Sequence, residues 1–262
     1  MSTSGFATTA RSVVGLVRSG NEDSALLHPN LIAVADGMGG HAGGEVASSL
    51  AVKTLSHLTS ILEHGNVDPD SIEDLLLNTL QDIDSEIRRV AGENIHLTGM
   101  GTTLSALMLY GPISALKVAL LHIGDSRCYR LRGNTFTQLS HDHTVLQELL
   151  DRGSVSSEEA REHPQRSFLT QALMGEGMLA PVLMVYEVKP RDRFLLCSDG
   201  LSGAINEKEI KTGMKIPDRE SAVDHLINAA YSAGAPDNVT VLLADIDQNH
   251  RPASTIFVGS AS

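Results

Sequence analysis

The 262-residue chain carries 32 acidic against 20 basic side chains, a formal charge of −12 at neutral pH. So acidic a balance excludes the Lys/Arg stripe that displaces phosphate counterions, and with it a nucleic-acid partner. Apolar residues at 42% and charged residues at 20% are ordinary for a globular protein, and a chain this long buries roughly 70–75% of its surface without needing disulfides.

The first nine residues have no basic start and no long apolar run, so they do not read as a secretory signal. No stretch approaches the ~18 apolar residues of a membrane helix. No membrane insertion and a cytoplasmic location are expected. Cys128 and Cys197 lie in apolar surroundings without zinc spacing and read as small buried hydrophobes.

In chain order, strands are expected at 12–17 and 31–35, then a helix over 45–62 with Val46, Leu50, Thr54, Leu58 and Ile61 on one face. A second helix over 71–90 repeats Ile72, Leu75, Leu76, Leu80, Ile83 and Ile87. Strands follow at 102–110, 115–123, 128–131 and 135–139, the last two joined by an Arg132-Gly133-Asn134 turn. Residues 144–152 read as a helix. The polar stretch 153–167 reads as a surface flap, with Ser156-Ser157-Glu158-Glu159 as a capped helix start. A strand near Met184, strands at 193–197 and 239–245, and a helix over 221–233 complete the order. Runs of hairpins with helices inserted between them favour two mainly antiparallel sheets face to face with helices outside, an α+β protein. A parallel doubly wound sheet is the alternative. One domain over residues 1–247 and a polar C-terminal tail over 248–262 are expected.

Four segments put acids at strand ends: Asn21-Glu22-Asp23, Ala35-Asp36-Gly37, Ser198-Asp199-Gly200 and Pro236-Asp237-Asn238. Asp-Gly leaves a carbonyl open to close approach, because glycine has no Cβ. Carboxylates and carbonyls form a hard oxygen site suited to Mg²⁺ or Mn²⁺. Each segment alone is an ordinary turn. Converging, two carboxylates ~5 Å apart would repel by about 3 kcal/mol at an effective dielectric of 20, so the set would need cations.

Competing motifs fail on their own residues. Gly37-x-Gly39-x-x-Ala42 fits a dinucleotide fingerprint, but Asp36 before it would repel a pyrophosphate. Neither cysteine has an arginine six residues on, and no G-x-S-x-G elbow is present. In His141-Asp142-His143, two histidines one residue apart cannot share a helix face for zinc.

Arg18-x-x-Asn21-Glu22-Asp23, Asp36-Gly37-Met38-Gly39-Gly40-His41, Gly99-Met100-Gly101-Thr102-Thr103, His122-Ile123-Gly124-Asp125-Ser126-Arg127, Ser198-Asp199-Gly200-Leu201 and Asp237-Asn238-Val239-Thr240 occur in that order. Together they resemble the metal-dependent protein phosphatase (PPM, type 2C) family, in particular its compact bacterial members. The resemblance implies a four-layer αββα sandwich and a protein serine/threonine phosphatase, with a metal-bridging water attacking phosphoserine or phosphothreonine at a binuclear Mn²⁺ or Mg²⁺ centre. It implies that Asp36 bridges both metals, that the Gly37 carbonyl binds one, and that Asp199 and Asp237 bind the other. Glu22 and Asp23 would hold metal-bound water, and Arg18 would receive the phosphate. A weaker third cation would use Asp125, Asp199 and the Ser167 carbonyl; the structural alternative for Asp125 is a turn paired with Arg127. Met38 stands where eukaryotic relatives carry the histidine proposed as acid. His41 either protonates the leaving alkoxide or orders its loop. Phosphorylated proteins, Ser/Thr kinases among them, are the implied partners of a monomer. A pseudophosphatase binding module of the same fold is the alternative function.

Overall fold

Alternation along the strands decides the layers. In a computed structural model, which describes residues 3–39, 43–64, 67–156, 159, 165, 167–250 and 254–262, strand β3 (Leu31–Met38) turns Leu31, Ala33 and Ala35 to one face and Ile32 and Val34 to the other. Both faces are buried, so the strand reads as one apolar run.

The remaining strands are β1 (Thr3–Val13), β2 (Asp23–His28), β4 (Gly101–Thr102), β5 (Leu104–Tyr110), β6 (Lys117–Ile123), β7 (Arg127–Arg132), β8 (Thr135–Gln138), β9 (Val182–Glu187), β10 (Arg193–Cys197), β11 (Val239–His250) and β12 (Ile256–Gly259). One sheet has the order β1-β11-β10-β7-β8; the other runs β12-β2-β3-β5-β6-β9, with β4 paired to β3. The assigned pairings are antiparallel, and β1 and β11 run against each other from Thr3↔His250 to Val13↔Val239. Between the sheets lie Leu27, Ile32, Val34, Leu107 and Leu120 of one and Phe6, Cys128, Phe194, Leu196 and Leu242 of the other.

Helices α1 (Gly43–His64) and α2 (Ile72–Glu93) cover the outer face of the second sheet. The α2 stripe falls as expected at Ile72, Leu76, Leu80, Ile83 and Ile87, all buried, with Leu75 half-buried. The α1 stripe is displaced from expectation: Ala47, Ala51, Val52, Leu55 and Leu58 are buried, while Ile61 is 44% exposed. Small side chains at 47 and 51 let the helix lie close on β3, a geometry that favours them over the longer Val46 and Leu50. Helices α3 (Val145–Asp151) and α4 (Asp199–Ser202) are short; α5 (Glu207–Met214) and α6 (Arg219–Ser232) cover the outer face of the first sheet through Ile210, Met214, Val223, Leu226 and Ala230. The result is the four-layer αββα sandwich.

Three expectations need amending. Residues 14–17 form a turn, because β1 ends at Val13 and begins much earlier than expected. Strand β2 was not anticipated. Residues 248–262, expected as a polar tail, instead supply β12, which pairs with β2 from Ile256↔Leu27 to Gly259↔Ser24, and the Ser260 amide donates to the Asp23 carbonyl at 2.8 Å. Most of the expected flap, 153–167, lies outside the described residues; Ser156 and Glu159 do exchange the hydrogen bonds of a helix start. Among the described residues, no helix is long and apolar enough to cross a membrane.

Candidate active site

Asp23 and Asp36 are direct partners in the β2–β3 ladder, so two carboxylates enter one end of the sandwich from neighbouring strands. Asp199 opens α4 after β10, Asp237 precedes β11, and Asp125 follows β6. The Asp36 backbone is held from both sides: its N–H donates to Thr103 Oγ1 at 3.0 Å, and its carbonyl accepts from the Thr103 amide and the Thr102 hydroxyl, each at 2.9 Å. Gly37 is required by crowding. A Cβ there would lie 2.1 Å from the Gly44 carbonyl oxygen at the start of α1.

The acids perturb one another strongly. Burial, followed by the charges of Asp23, Asp199, Asp125 and Asp237, holds the Asp36 carboxyl well above its ordinary pKa. Burial pushes Asp23 up to about 7 and Asp125 to about 8. Asp199 is raised by burial and by Asp237, and lowered by a hydrogen bond with Asp36. Asp23 Oδ2 accepts from the Ser198 hydroxyl at 2.7 Å, while the buried Asp23 Oδ1 has no partner among the described residues. Glu22, half-buried, is raised by desolvation and then by Asp237 and Glu45.

Basic groups near the cluster are few. Arg18 donates to Asp237 Oδ2 at 2.6 Å, with half of its side chain exposed. Arg127 forms its ion pair with Asp142 at 2.7 Å and acts on Asp125 only through its charge, which lowers the Asp125 pKa against burial. The three residues of the histidine segment diverge: Asp142 binds Arg127, His141 binds Asp151, and His143 stacks on His122 with centroids 5.2 Å apart. Cys128 and Cys197 are buried and free, on opposite faces of their sheet.

The donor set fits a divalent cation. Several buried carboxyls share a site with mutual repulsion, one buried carboxylate oxygen is orphaned, and every donor is a hard oxygen. Among the described residues no three acidic, histidine or cysteine side chains stand at cation-holding spacing. Asp36, Asp199 and Asp237 could hold cations, with Asp23 and Glu22 behind them. Asp125, Asp199 and Ser167 line one cavity of about 500 Å³. His41 lies outside the described residues.

Four residues that sequence reasoning did not single out hold this arrangement. Thr102 and Thr103 clamp Asp36, and Ser198 binds Asp23. Asn238 accepts from the Glu22 amide and donates to the carbonyls of Val14 and Gly20, tying the Arg18 loop to the Asp237 turn. Their signal was their presence inside the ordered motifs.

The four-layer αββα sandwich thus ends in a buried carboxylate cluster. The chain belongs to the protein phosphatase 2C family, whose model matches residues 21–242. It is 41% identical over 97% of its length to the serine/threonine protein phosphatase PstP of Mycobacterium tuberculosis, of which it spans 48%. It is 37% identical to the serine/threonine phosphatase stp of Listeria monocytogenes, matching 92% of this chain and 96% of that one. The PstP catalytic domain, whose structure is a complex with two manganese ions, superposes with a TM-score of 0.83 at 39% identity, covering 93% of this chain and 99% of that one.

Proposed function

We propose that the chain is a protein serine/threonine phosphatase that hydrolyses phosphoserine and phosphothreonine with Mn²⁺ or Mg²⁺. The observation that carries this is the convergence of Asp23, Asp36, Asp125, Asp199 and Asp237, with the charges of the other four all raising the pKa of Asp36, in a chain of the 2C family. The named functions of the mycobacterial and listerial relatives support it.

In this mechanism Asp36, the Gly37 carbonyl, Asp199 and Asp237 would hold two cations, and Asp23 and Glu22 would accept hydrogen bonds from water beside them. When bound, the cations acidify water and draw charge from phosphoryl oxygens. Arg18 is exposed enough to leave Asp237 and receive the phosphate in a two-pronged contact. Thr102 and Thr103 anchor the Asp36 backbone through its N–H and carbonyl. A weaker third cation at Asp125, Asp199 and the Ser167 carbonyl is supported by the cavity these residues share. His41 serves either as acid toward the leaving alkoxide or as an organiser of its loop.

Phosphorylated proteins, with Ser/Thr kinases among them, are the proposed substrates of a cytoplasmic monomer. The pseudophosphatase alternative is disfavoured because Asp36, Asp199 and Asp237 are all present. A phosphothreonine peptide incubated with Mn²⁺ should release phosphate, excess EDTA should stop it, and Asp199→Asn should lower turnover at least ~100-fold, the scale of damage to a metal's surroundings. Phosphate release that persists in EDTA, or in Asp199→Asn, would overturn the mechanism.

A further inference from the structure

Beside the acid cluster, on the α2 side, lies a cavity of about 710 Å³ whose apolar lining is Met38, Phe168, Leu169, Met174, Met178 and Leu179. Three of these are unusually exposed for their type: Phe168 58%, Met174 40% and Met178 78%. An apolar patch of this kind beside polar residues marks an interaction surface.

The wall of this trough is held by a device that the chemistry above does not use. Asp84 projects from α2 with a side chain only 3% exposed, and its two oxygens accept the amides of Gly175 at 2.7 Å and Gly177 at 2.8 Å. Arg88, one turn on, donates Nε to the Gly175 carbonyl. Both glycines have positive φ, +75° and +77°, and a Cβ on Gly175 would lie 2.8 Å from the Arg88 backbone. A buried carboxylate is costly unless its hydrogen bonds are made. Here both oxygens are committed to fixing a loop about ninety residues away. That loop presents Met174 and Met178 on either side of its two anchored glycines.

The trough is continuous with the candidate centre. Met38 ends the strand that carries Asp36, and Ser167 lines both this trough and the cavity of Asp125 and Asp199. Met38 and Met174 flank Gly101, where an added Cβ would lie 3.5 Å and 3.0 Å from their Cγ atoms. The loop is also bonded at Leu173 to Thr102, whose hydroxyl holds the Asp36 carbonyl. A segment that presents a phosphate to the acids from the α2 side would extend over these methionines.

We infer that this trough is a substrate subsite for an apolar side chain near the phosphorylated residue, and that Asp84 is a positioning residue that holds its wall. The inference rests on the phosphatase reading. Methionine's flexible, polarizable side chain suits a pocket that accepts Leu, Ile, Met or Phe rather than one shape. The substrate class is a phosphoprotein segment with a hydrophobic neighbour.

The test uses phosphothreonine peptides in which Leu replaces Ser at each of the three positions on either side, one at a time, with Mn²⁺. At one position Leu should raise kcat/KM about 10-fold through KM, the scale of a modest apolar contact. The double variant Met174→Ser, Met178→Ser should bring that ratio close to one with kcat on the Ser peptide retained, and Asp84→Ala should also bring the ratio close to one. Both methionines are exposed enough for the double variant to fold even where Asp84→Ala does not. A wild-type ratio near one at every position overturns the subsite, while Mn²⁺-dependent hydrolysis of p-nitrophenyl phosphate leaves the phosphatase reading standing. A preference that survives in the double variant also overturns it, as does a dimer by sedimentation that dissociates when the methionines are replaced. Absence of any Mn²⁺-dependent hydrolysis by the wild type removes the phosphatase reading and the subsite together.

Discussion

The Asn238 side-chain oxygen accepts the Glu22 amide at 2.8 Å across 216 residues of sequence. The same side chain donates to the Val14 and Gly20 carbonyls at 2.9 and 2.8 Å, and Asn238 is 4% exposed. Asn238→Ala would strand three backbone groups near the acid cluster. Each stranded buried group costs about 1–3 kcal/mol, part of it recovered by entering water. The variant should lose about 2–4 kcal/mol in urea unfolding, and turnover should drop because Arg18 and Glu22 ride on the freed loop. Wild-type stability together with wild-type turnover would show that the contact is incidental.

Asp125→Ala separates the third cation from the first two. Asp36 and Asp237 remain intact, so two-ion Mn²⁺ binding should persist in calorimetry while phosphopeptide turnover falls. Unchanged stoichiometry with unchanged turnover would return Asp125 to a turn residue.

Gly200 follows Asp199 at the start of α4, where a Cβ would lie 1.9 Å from the Asn238 carbonyl oxygen. Neither partner in that clash is a side chain that can swing away. Gly200→Ala should cost at least about 3 kcal/mol, the upper range for overpacking. Melting should fall by roughly 2–4 °C for each kcal/mol lost. Loss of Mn²⁺-dependent turnover should accompany it, since both neighbours of the clash lie beside candidate ligands. A melting point within a degree of wild type would mean that the backbone yields more cheaply than the geometry allows.

Burial, then the neighbouring His143, lowers the pKa of His122 to about 3. Its ring bridges the Ser105 hydroxyl at 2.8 Å and the His141 carbonyl at 3.0 Å. Between pH 3 and the ordinary value near ~6.5 the unfolded chain binds a proton there that the folded protein refuses, so stability falls as pH drops through that window. Near pH 5 the loss attributable to this one ring is about 2 kcal/mol relative to pH 8. Raised carboxyls elsewhere act in the opposite sense, so the observable is a difference. Wild type should lose more stability than His122→Gln on going from pH 8 to pH 5; parallel curves would contradict a neutral buried ring.

Where a residue's partner was local, the sequence revealed it. The α2 stripe, the Arg132-Gly133-Asn134 hairpin and the Asp-Gly strand ends all stand where periodicity and turn chemistry put them. Strand β2 was hidden because Asp23–His28 carries only three apolar residues between an acid and a histidine, and its burial comes from β3 and β12. Asp84 sits among polar positions of an amphipathic helix, and only the fold brings Gly175 and Gly177 to it. The same is true of Asn238, whose three partners lie at least 216 residues away.

The pairing of β1 with β11 joins residues 3–13 to 239–250. On a ribosome, the strand that follows Asp237 emerges long after Asp36, which must wait for it. Non-local pairing of this kind is slow to form and cannot be anticipated by local structure. Nascent chains would therefore carry every acid of the cluster without yet holding them together, and competence would arrive in one step once β11 docks between β1 and β10.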